Sequence, residues 1–171
     1  QTAYLKTHYP VEFLAANMSS EKDNTEKIQM LLAECRKLGI KTIPPDVNAS
    51  MVHFAPGDDK SIIYGLNAIK KVGSRAAEVI MQERLDNGPF ESIFDFCSRV
   101  DSQSTNKGVV EALVGSGAMD SLPGTRWEKF LSVEDAVYHG QRVQTLKNTN
   151  QTDLFGGGGD AAMTREPELG D

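Results

Sequence analysis

The sequence has few cysteines and no excess of positive charge. Its two cysteines, Cys35 and Cys97, each lie inside an apolar helical pattern. We therefore expect two buried thiols in a reducing cytoplasm rather than a disulfide. Lysine and arginine number 18 against 24 acidic residues, which gives a formal net charge of −6. Because this balance disfavours binding nucleic acid by bulk charge, any such contact requires a local basic patch and backbone donors.

Long apolar runs are also missing. None approaches the ~18 residues that a membrane span needs, and no secretory signal is visible, so we expect no membrane contact. The chain begins with Gln1 rather than Met and enters a helical pattern at once, which is typical of the interior of a longer polypeptide.

The polar residues show no arrangement typical of catalysis. The three histidines, His8, His53 and His139, are far apart and lack metal-ligand spacing. The acidic residues fall at helix starts, in a turn and near the end of the chain. We therefore predict no catalytic residue, no metal site and no cofactor in this chain.

Apolar spacing predicts a mainly α fold with a short β-hairpin. Pro10 suits the start of one helix, and Ser20 or Asp23 could cap the next, which Gly39 would end. Residues 51–66 predict two short strands around a Pro-Gly-Asp-Asp turn. Short helices then follow to Lys147, and residues 148–171 are polar and glycine-rich, so we predict a disordered, flexible tail there.

Two glycine turns between predicted helices indicate nucleic-acid contact. In the first, a helix is expected to end near Lys71 and another to begin at Ser74; in the second, Gly115 and Gly117 occupy the corresponding turn. A glycine at such a tight turn can take a positive φ and expose its amide. Amides at the turn and at a following helix start can bind phosphate without reading bases, as in the helix-hairpin-helix. The predicted DNA-binding residues are Lys70, Lys71, Val72, Gly73, Ser74, Arg75, Ala76, Gly115, Ser116, Gly117 and Ala118.

A simpler interpretation of each turn is a helix C-cap, since glycine is common there. Lys71 occupies the position where a glycine would normally open the first hairpin, and few cations surround the second turn. We therefore expect weak binding to double-stranded DNA. Trp127, the only tryptophan, follows the second turn, and we interpret it as a packing residue rather than a stacking one.

Near the end of the chain, Leu154 and Phe155 stand between a polar run and four glycines. Such a segment has no periodic apolar face, and ordering its glycines has a high entropic cost. We therefore do not expect these two side chains in the chain's own core: either they have no role, or they bind another protein.

Seven collinear blocks between Ala3 and Phe155 resemble the alpha subunit of bacterial DNA polymerase III, the family C replicative polymerase. The blocks are AYLKTHYPVEFLAANM, LLAECRKLGI, PPDVNAS, YGLNAIKKVG, GPFESIFDFCSRVD, NKGVVEALVGSGAMDSL and QTDLF. The resemblance implies that residues 1–62 are the last part of a fingers domain, residues 63–147 a tandem helix-hairpin-helix module, and residues 148–171 a tail with a sliding-clamp-binding motif. That motif comprises Gln151, Asp153, Leu154 and Phe155.

By the same resemblance, the parent protein would be a DNA-directed DNA polymerase, a nucleotidyltransferase. Its catalytic aspartates and their Mg²⁺ would lie in a palm domain upstream of Gln1. The implied partners are double-stranded DNA, the sliding clamp (the beta subunit) and, through the parent chain, other replicase subunits. The resemblance suits the main replicative subunit and an error-prone paralogue equally.

Two other functions remain open from the sequence. The chain could be a stand-alone helix-hairpin-helix adaptor for DNA repair or clamp binding, although its first sixty residues resemble fingers sequence. Alternatively, the hairpins could be purely structural connectors between the fingers and the tail.

Overall fold

The computed structural model describes the backbone of residues 1–156 and the side chains of residues 1–150. Its helices are α1 (Thr2–His8), α2 (Pro10–Ser20), α3 (Thr25–Lys37), α4 (Ser74–Asn87), α5 (Ile93–Arg99), α6 (Lys107–Gly115) and α7 (Arg126–Gly156). The strands are β1 (Lys41–Ile43), β2 (Ala55–Gly57) and β3 (Ser61–Ile63), and a short 3₁₀ turn spans Leu66–Ala68. The described part is mostly helical with one small sheet, which confirms the predicted fold class.

The small sheet contains the predicted hairpin and one further strand. β2 and β3 pair antiparallel, and Asp59 and Lys60 take positive φ angles of 51° and 54° in the turn between them. β1 pairs in parallel with β3, so that the strand order is β1-β3-β2. The sequence does not predict β1, because all three of its residues are exposed and give no alternating pattern.

The first apolar cluster joins α2 and α3 to the sheet. Its buried members are Leu14, Ala15, Met18, Ile28, Cys35, Ile40, Phe54 and Ile62. Pro10 begins α2, and Gly39 follows α3 with a φ of +68°, both as predicted. The predicted cap of α3 is wrong: the side chain of Asn24, rather than Ser20 or Asp23, accepts the hydrogen bond from the backbone N–H of Lys27, at 3.2 Å.

The second and larger cluster packs α4, α5, α6 and the first half of α7 around one another. Its fully buried side chains include Leu66, Ile80, Phe96, Val110, Leu113 and Met119. α5 lies along α7, and the Gln144 side-chain amide of α7 donates to the carbonyl oxygens of Cys97 and Val100 at 3.2 and 2.7 Å. Both cysteines are buried, as predicted, and they lie in different clusters.

The last helix extends beyond the point where the sequence predicts a tail. α7 continues to Gly156, whereas the tail is predicted to begin at residue 148. Residues 148–155 include neither proline nor glycine, so each can add one hydrogen bond to a helix already nucleated by packing. The prediction for residues 157–171 lies outside the described residues.

Candidate nucleic-acid interface

The first turn adopts a conformation that depends on Lys71. Lys71 has a φ of +72°, in the left-handed region, at the position where the sequence pattern expects glycine. Gly73 instead has a φ of −74° and a ψ of 166° and is the residue preceding α4. The expectation that Gly73 supplies a positive φ is therefore wrong, and the chain reverses at Lys71.

The structure before this turn is shorter than predicted. In place of a helix reaching Lys71, only the 3₁₀ turn Leu66–Ala68 precedes it, and Ile69 is extended with a ψ of 127°. The short turn is held in place without a longer helix because two backbone N–H groups donate to distant carbonyl oxygens. The N–H of Leu66 donates to the carbonyl oxygen of Met51, and the N–H of Asn67 to that of Val52, each at 3.0 Å. These tertiary hydrogen bonds fix the conformation of the segment, which its local helix propensity alone does not determine.

The seven predicted contact residues of this turn fall into two groups. Lys70, Lys71, Gly73 and Arg75 are exposed, and Ser74 is half-buried. The side chains of Val72 and Ala76 are buried in the second cluster. The N–H of Val72 also donates to the carbonyl oxygen of Ile69 at 2.9 Å, so the prediction that Val72 contacts a ligand is not favoured by this geometry.

The N-terminus of α4 begins without a side-chain cap. In α3, α5 and α6, by contrast, the side chains of Asn24, Ser92 and Asn106 accept a first-turn N–H. The N–H groups of a first helical turn have no partner within the helix. Three exposed cations and the start of α4 therefore lie together, which is the arrangement that binds an anion such as a backbone phosphate.

A polar recess of about 510 Å³ lies against this turn. It is lined by Lys22, Asp23, Thr25 and residues 67–73. Asn67 is only 5% exposed, and its amide nitrogen lies 3.0 Å from His53 Nδ1 and 3.3 Å from Ser74 Oγ. Sequence reasoning missed Asn67, although a polar residue inside the apolar stretch Leu66–Ile69 is a signal that could have found it.

Arg75 has an acidic neighbour. Asp101 has its pKa lowered mainly because Ser104 donates a side-chain hydrogen bond to it, then by backbone amides of Gln103 and Ser104, and last by the charge of Arg75. Part of the Arg75 charge is therefore offset within the chain, while Lys70 and Lys71 form the main exposed basic pair.

The second turn is built for packing more than for ligand contact. The N–H groups of Ser116 and Gly117 donate to Ala112 and Val114 at 2.9 and 3.1 Å, which closes the end of α6. Gly117 has the predicted positive φ, +85°. Ala118 is fully buried, and its carbonyl oxygen accepts from the N–H of Val47 at 2.8 Å.

The helix after the second turn does not begin directly at the turn. α7 begins at Arg126, and the Glu128 carboxylate accepts from the N–H of Thr125 at 2.7 Å and from its hydroxyl at 2.9 Å, as in a capping box. Arg126 pairs with Asp120 across Gly117, and its hydrogen bond lowers the pKa of Asp120. The helix start predicted directly after Gly115–Ala118 is not found there, since α7 begins at Arg126. The role of these four residues as DNA contacts stays a prediction.

Trp127 is exposed, contrary to the prediction that it packs in the core. Its side chain is 68% exposed, and its ring stacks on Phe130 with centroids 6.4 Å apart and planes 13° apart. The buried positions of α7 recur at helical spacing through Lys129, Val133 and Ala136. Trp127 falls on the other side of the helix, so counting positions along α7 could have found its exposure.

The predicted clamp-binding residues lie at the end of α7. Gln151, Asp153, Leu154 and Phe155 belong to the helical backbone that ends at Gly156, while their side chains are outside the described residues. Their role remains a prediction.

The part of the chain that the structure describes has neither a metal-binding cluster nor a membrane-spanning helix. Within residues 1–150, whose side chains the structure describes, no group of three or more histidine, cysteine, aspartate or glutamate side chains is placed to hold a metal ion. Within residues 1–156, no helix combines the length and the apolar character needed to cross a membrane.

Comparison with known proteins places the turns in a recognised motif. Residues 39–129 match the family described as "Helix-hairpin-helix motif". The chain belongs to the helix-hairpin-helix family. The matched region begins just before β1 and extends into the first turn of α7, so it includes both glycine turns and the sheet.

The chain is also similar to DNA polymerase III subunit alpha from several bacteria. It is 42% identical to that of Vibrio cholerae and 40% identical to that of Escherichia coli K12, in each case over 168 residues that cover 98% of this chain and 14% of the relative. The subunit from Buchnera aphidicola is 42% identical over 156 residues, or 91% of this chain and 13% of the relative. The chain thus spans about 14% of the length of the curated relatives it matches. The resemblance seen in the seven sequence blocks is confirmed.

Proposed function

We propose that this chain is a non-catalytic segment of a bacterial replicative DNA polymerase that contacts the backbone of duplex DNA and binds the sliding clamp. The parent protein would be a DNA-directed DNA polymerase that acts in the cytoplasm with other replicase subunits, and its palm domain would supply the catalytic carboxylates and Mg²⁺. Similarity to DNA polymerase III alpha subunits over 98% of the chain supports this assignment.

The first turn is the proposed DNA contact. The observation that carries it is the uncapped start of α4 beside exposed Lys70, Lys71 and Arg75. Backbone amides and lysines would hold phosphates and read no bases, which gives positioning without sequence preference. With a chain charge of −6 and only three cations at the turn, we expect weak, strongly salt-dependent binding.

Charge reversal tests the duplex contact. Lys70→Glu, Lys71→Glu and Arg75→Glu together should abolish most duplex affinity and reduce the slope of log K against log salt by about 3, if each cation neutralises one phosphate. The matched control reverses Arg36, Lys37 and Lys41, three exposed cations at and beyond the far end of α3 from the recess. Equal effects of the two triple variants would show that only net charge matters and would remove this contact.

The second turn contributes differently in this proposal. Gly115, Ser116, Gly117 and Ala118 would support the first turn by packing, because their described hydrogen bonds are made within the chain. We therefore expect substitutions at Ser116 to change duplex affinity much less than substitutions at Lys71.

The proposed clamp contact rests on the segment Gln151–Phe155. Leu154 and Phe155 would enter an apolar pocket on the ring, and the Gln151 amide would hydrogen-bond at its rim. Two buried side chains contribute roughly 1.5–3 kcal/mol each, so after ordering costs the affinity should be on the order of micromolar. A ring threaded on the same DNA adds effective concentration, which makes such an affinity sufficient.

Alanine substitution tests the clamp contact separately. Leu154→Ala with Phe155→Ala should abolish binding to a cognate clamp measured by calorimetry, while Thr152→Ala in the same segment should leave it unchanged. Undiminished binding by the double variant would exclude this segment as the docking motif and would leave the duplex contact unaffected.

A further inference from the structure

An exposed pair of aromatic rings stands at the start of α7. Trp127 is 68% exposed and Phe130 45% exposed, and the two rings are nearly parallel. We call this pair the aromatic ledge. Large exposed aromatic side chains placed together are uncommon on a protein surface without a binding role. Flat exposed rings of this kind are the usual stacking partners of unpaired nucleobases.

One ring of the aromatic ledge, that of Phe130, borders a cavity that also carries positive charge. The cavity has a volume of about 670 Å³, within the range of small-ligand sites. Phe130 forms one side of it, and Lys70 and Lys71 of the first turn line another. Pro45, Tyr64, Ala68, Ile69 and the end of α6 complete the lining.

The charged residues of the lining make the side of the cavity at the first turn positive. Lys70 and Lys71 offer two ammonium groups, whereas Glu111 is the acidic residue in the lining. Arg126, next to Trp127, is paired with Asp120 and is therefore partly neutralised. An anionic group is thus favoured at the turn and a flat apolar group at the aromatic ledge, and a nucleotide carries both.

We propose that this cavity and the aromatic ledge bind an unpaired nucleotide of single-stranded DNA. The base stacks on the Trp127 and Phe130 rings, and Lys70 and Lys71 contact its flanking phosphates. Base stacking on aromatic rings is tolerant of sequence, since every base has a π face. This inference goes beyond the proposed duplex contact, which involves the backbone alone, and shares only the two lysines with it.

The single tryptophan makes a direct test possible, because Trp127 is the only indole in the 171-residue chain. The chain is titrated with an oligothymidylate of twelve nucleotides and with an abasic oligonucleotide of the same length and charge. We expect saturable quenching of Trp127 fluorescence by the oligothymidylate and little quenching by the abasic strand. Equal quenching by both strands, or none by either, would overturn the proposal.

Variants then separate stacking from charge by the anisotropy of a labelled oligothymidylate. Trp127→Ala and Phe130→Ala should each weaken single-strand binding about tenfold, and Trp127→Tyr should restore most of it. Tyr138→Ala is the matched control, because Tyr138 is a 63% exposed aromatic residue on the same helix but eight residues beyond Phe130, away from the aromatic ledge. An equal loss with Tyr138→Ala would overturn the proposal, as would no loss at Trp127.

Two further outcomes identify other occupants. A concentration-dependent shift of Trp127 emission without DNA would assign the aromatic ledge to a second copy of the chain and overturn the proposal. Trp127→Ala should leave the affinity for a blunt duplex unchanged. A variant that loses affinity for the single strand but keeps its affinity for the duplex therefore supports the inference. If instead single-strand binding survives while duplex binding fails, the ledge is part of the duplex contact and the inference is wrong.

Discussion

The backbone of Gly140 on α7 lies directly against the carbonyl group of Cys97 on α5. A Cβ atom built at Gly140 would lie 2.5 Å from the carbonyl carbon of Cys97, closer than any real contact. Gln144, one turn further along α7, donates its side-chain amide to the carbonyl oxygens at the end of α5. The close approach of α5 and α7 thus depends on the absence of a side chain at Gly140 and on the side-chain amide of Gln144. This contact holds α7 against the helical core.

Gly140→Ala should destabilise the chain. The clash with the Cys97 backbone forces α7 away from α5, and overpacking of this kind costs about 1–3 kcal/mol. The gain of about 1 kcal/mol in helix propensity from glycine to alanine offsets part of this cost. Urea unfolding measures the net effect. Gly115→Ala is the control, because a Cβ there meets no atom within 4 Å, and its stability should be unchanged or slightly raised. A Gly140→Ala chain as stable as the parent would contradict the packing described.

Lys71→Gly should stabilise the fold while weakening DNA binding. The left-handed conformation of Lys71, with a φ of +72°, costs roughly 1–2 kcal/mol for a residue with a Cβ, and glycine avoids that cost. The greater freedom of glycine in the unfolded chain removes about 0.5–1 kcal/mol of the gain.

Lys70→Gly is the matched control for that change, since it removes the same charge at a neighbouring position without a positive φ. It should destabilise the chain by about 0.5–1 kcal/mol, and both variants should weaken duplex binding similarly. Thermal unfolding and anisotropy of a labelled duplex give the two readouts. If Lys71→Gly lowered stability as much as Lys70→Gly, the left-handed turn would not be a source of strain.

The Cys97 thiol should be almost unreactive in the folded chain. Burial raises the pKa of Cys97 to about 12. Because the thiolate is the reacting form, alkylation at pH 8 should be roughly a thousandfold slower than in the unfolded chain. Mass spectrometry of labelled peptides distinguishes Cys97 from Cys35. Gly140→Ala should accelerate labelling of Cys97, since it loosens α5 from α7; rapid labelling of the parent chain would show that this interface is open.

The same pKa shift determines how stability depends on pH. The folded pKa of Cys97 lies above the ordinary value of 9.0, so its contribution to stability is fully present below pH 9.0. That contribution is lost as the pH rises from 9.0 towards about 12, because the unfolded chain releases the proton first. Urea unfolding between pH 7 and 11 should show this fall, and it should be smaller in Cys97→Ala.

Arg99→Lys should destabilise the junction between α4 and α5. The Arg99 guanidinium pairs with Glu83 and Asp95 at 3.0 Å each, donates to the Gly88 carbonyl oxygen at 2.7 Å and lies 4.7 Å from the Phe90 ring centroid. A lysine ammonium cannot make these planar, divergent bonds together, and the loss should be about 1–3 kcal/mol.

Arg142→Lys provides the comparison for that variant, because Arg142 is exposed on α7 and its described contact is a distant one with the Tyr138 ring, at 5.9 Å. Its effect should stay within about 0.5 kcal/mol, the usual range for surface changes. Indistinguishable unfolding curves for the two variants would mean that the bonds of Arg99 are exchanged for water without cost.

Much of the fold follows from local signals. Pro10 and Gly39 mark helix boundaries because their backbone preferences act within a few residues, and the Pro-Gly-Asp-Asp turn fixes its hairpin in the same way. By contrast, Asn24 rather than Ser20 or Asp23 caps α3. Asp23 is one residue away, a shift below the resolution of such signals, whereas Ser20 is four residues away and ends α2.

The amino-acid sequence by itself determined the family, the helical class, the two buried thiols and the positions of both glycine turns, because each depends on residue type and short-range spacing. Only the tertiary structure decided which of the two turns stays accessible to a ligand. Asp120, Arg126 and the bond from Val47 to Ala118 fill the second turn, whereas Lys71 and the uncapped start of α4 leave the first exposed. The bond between Val47 and Ala118 joins residues distant along the chain, and no local pattern records it.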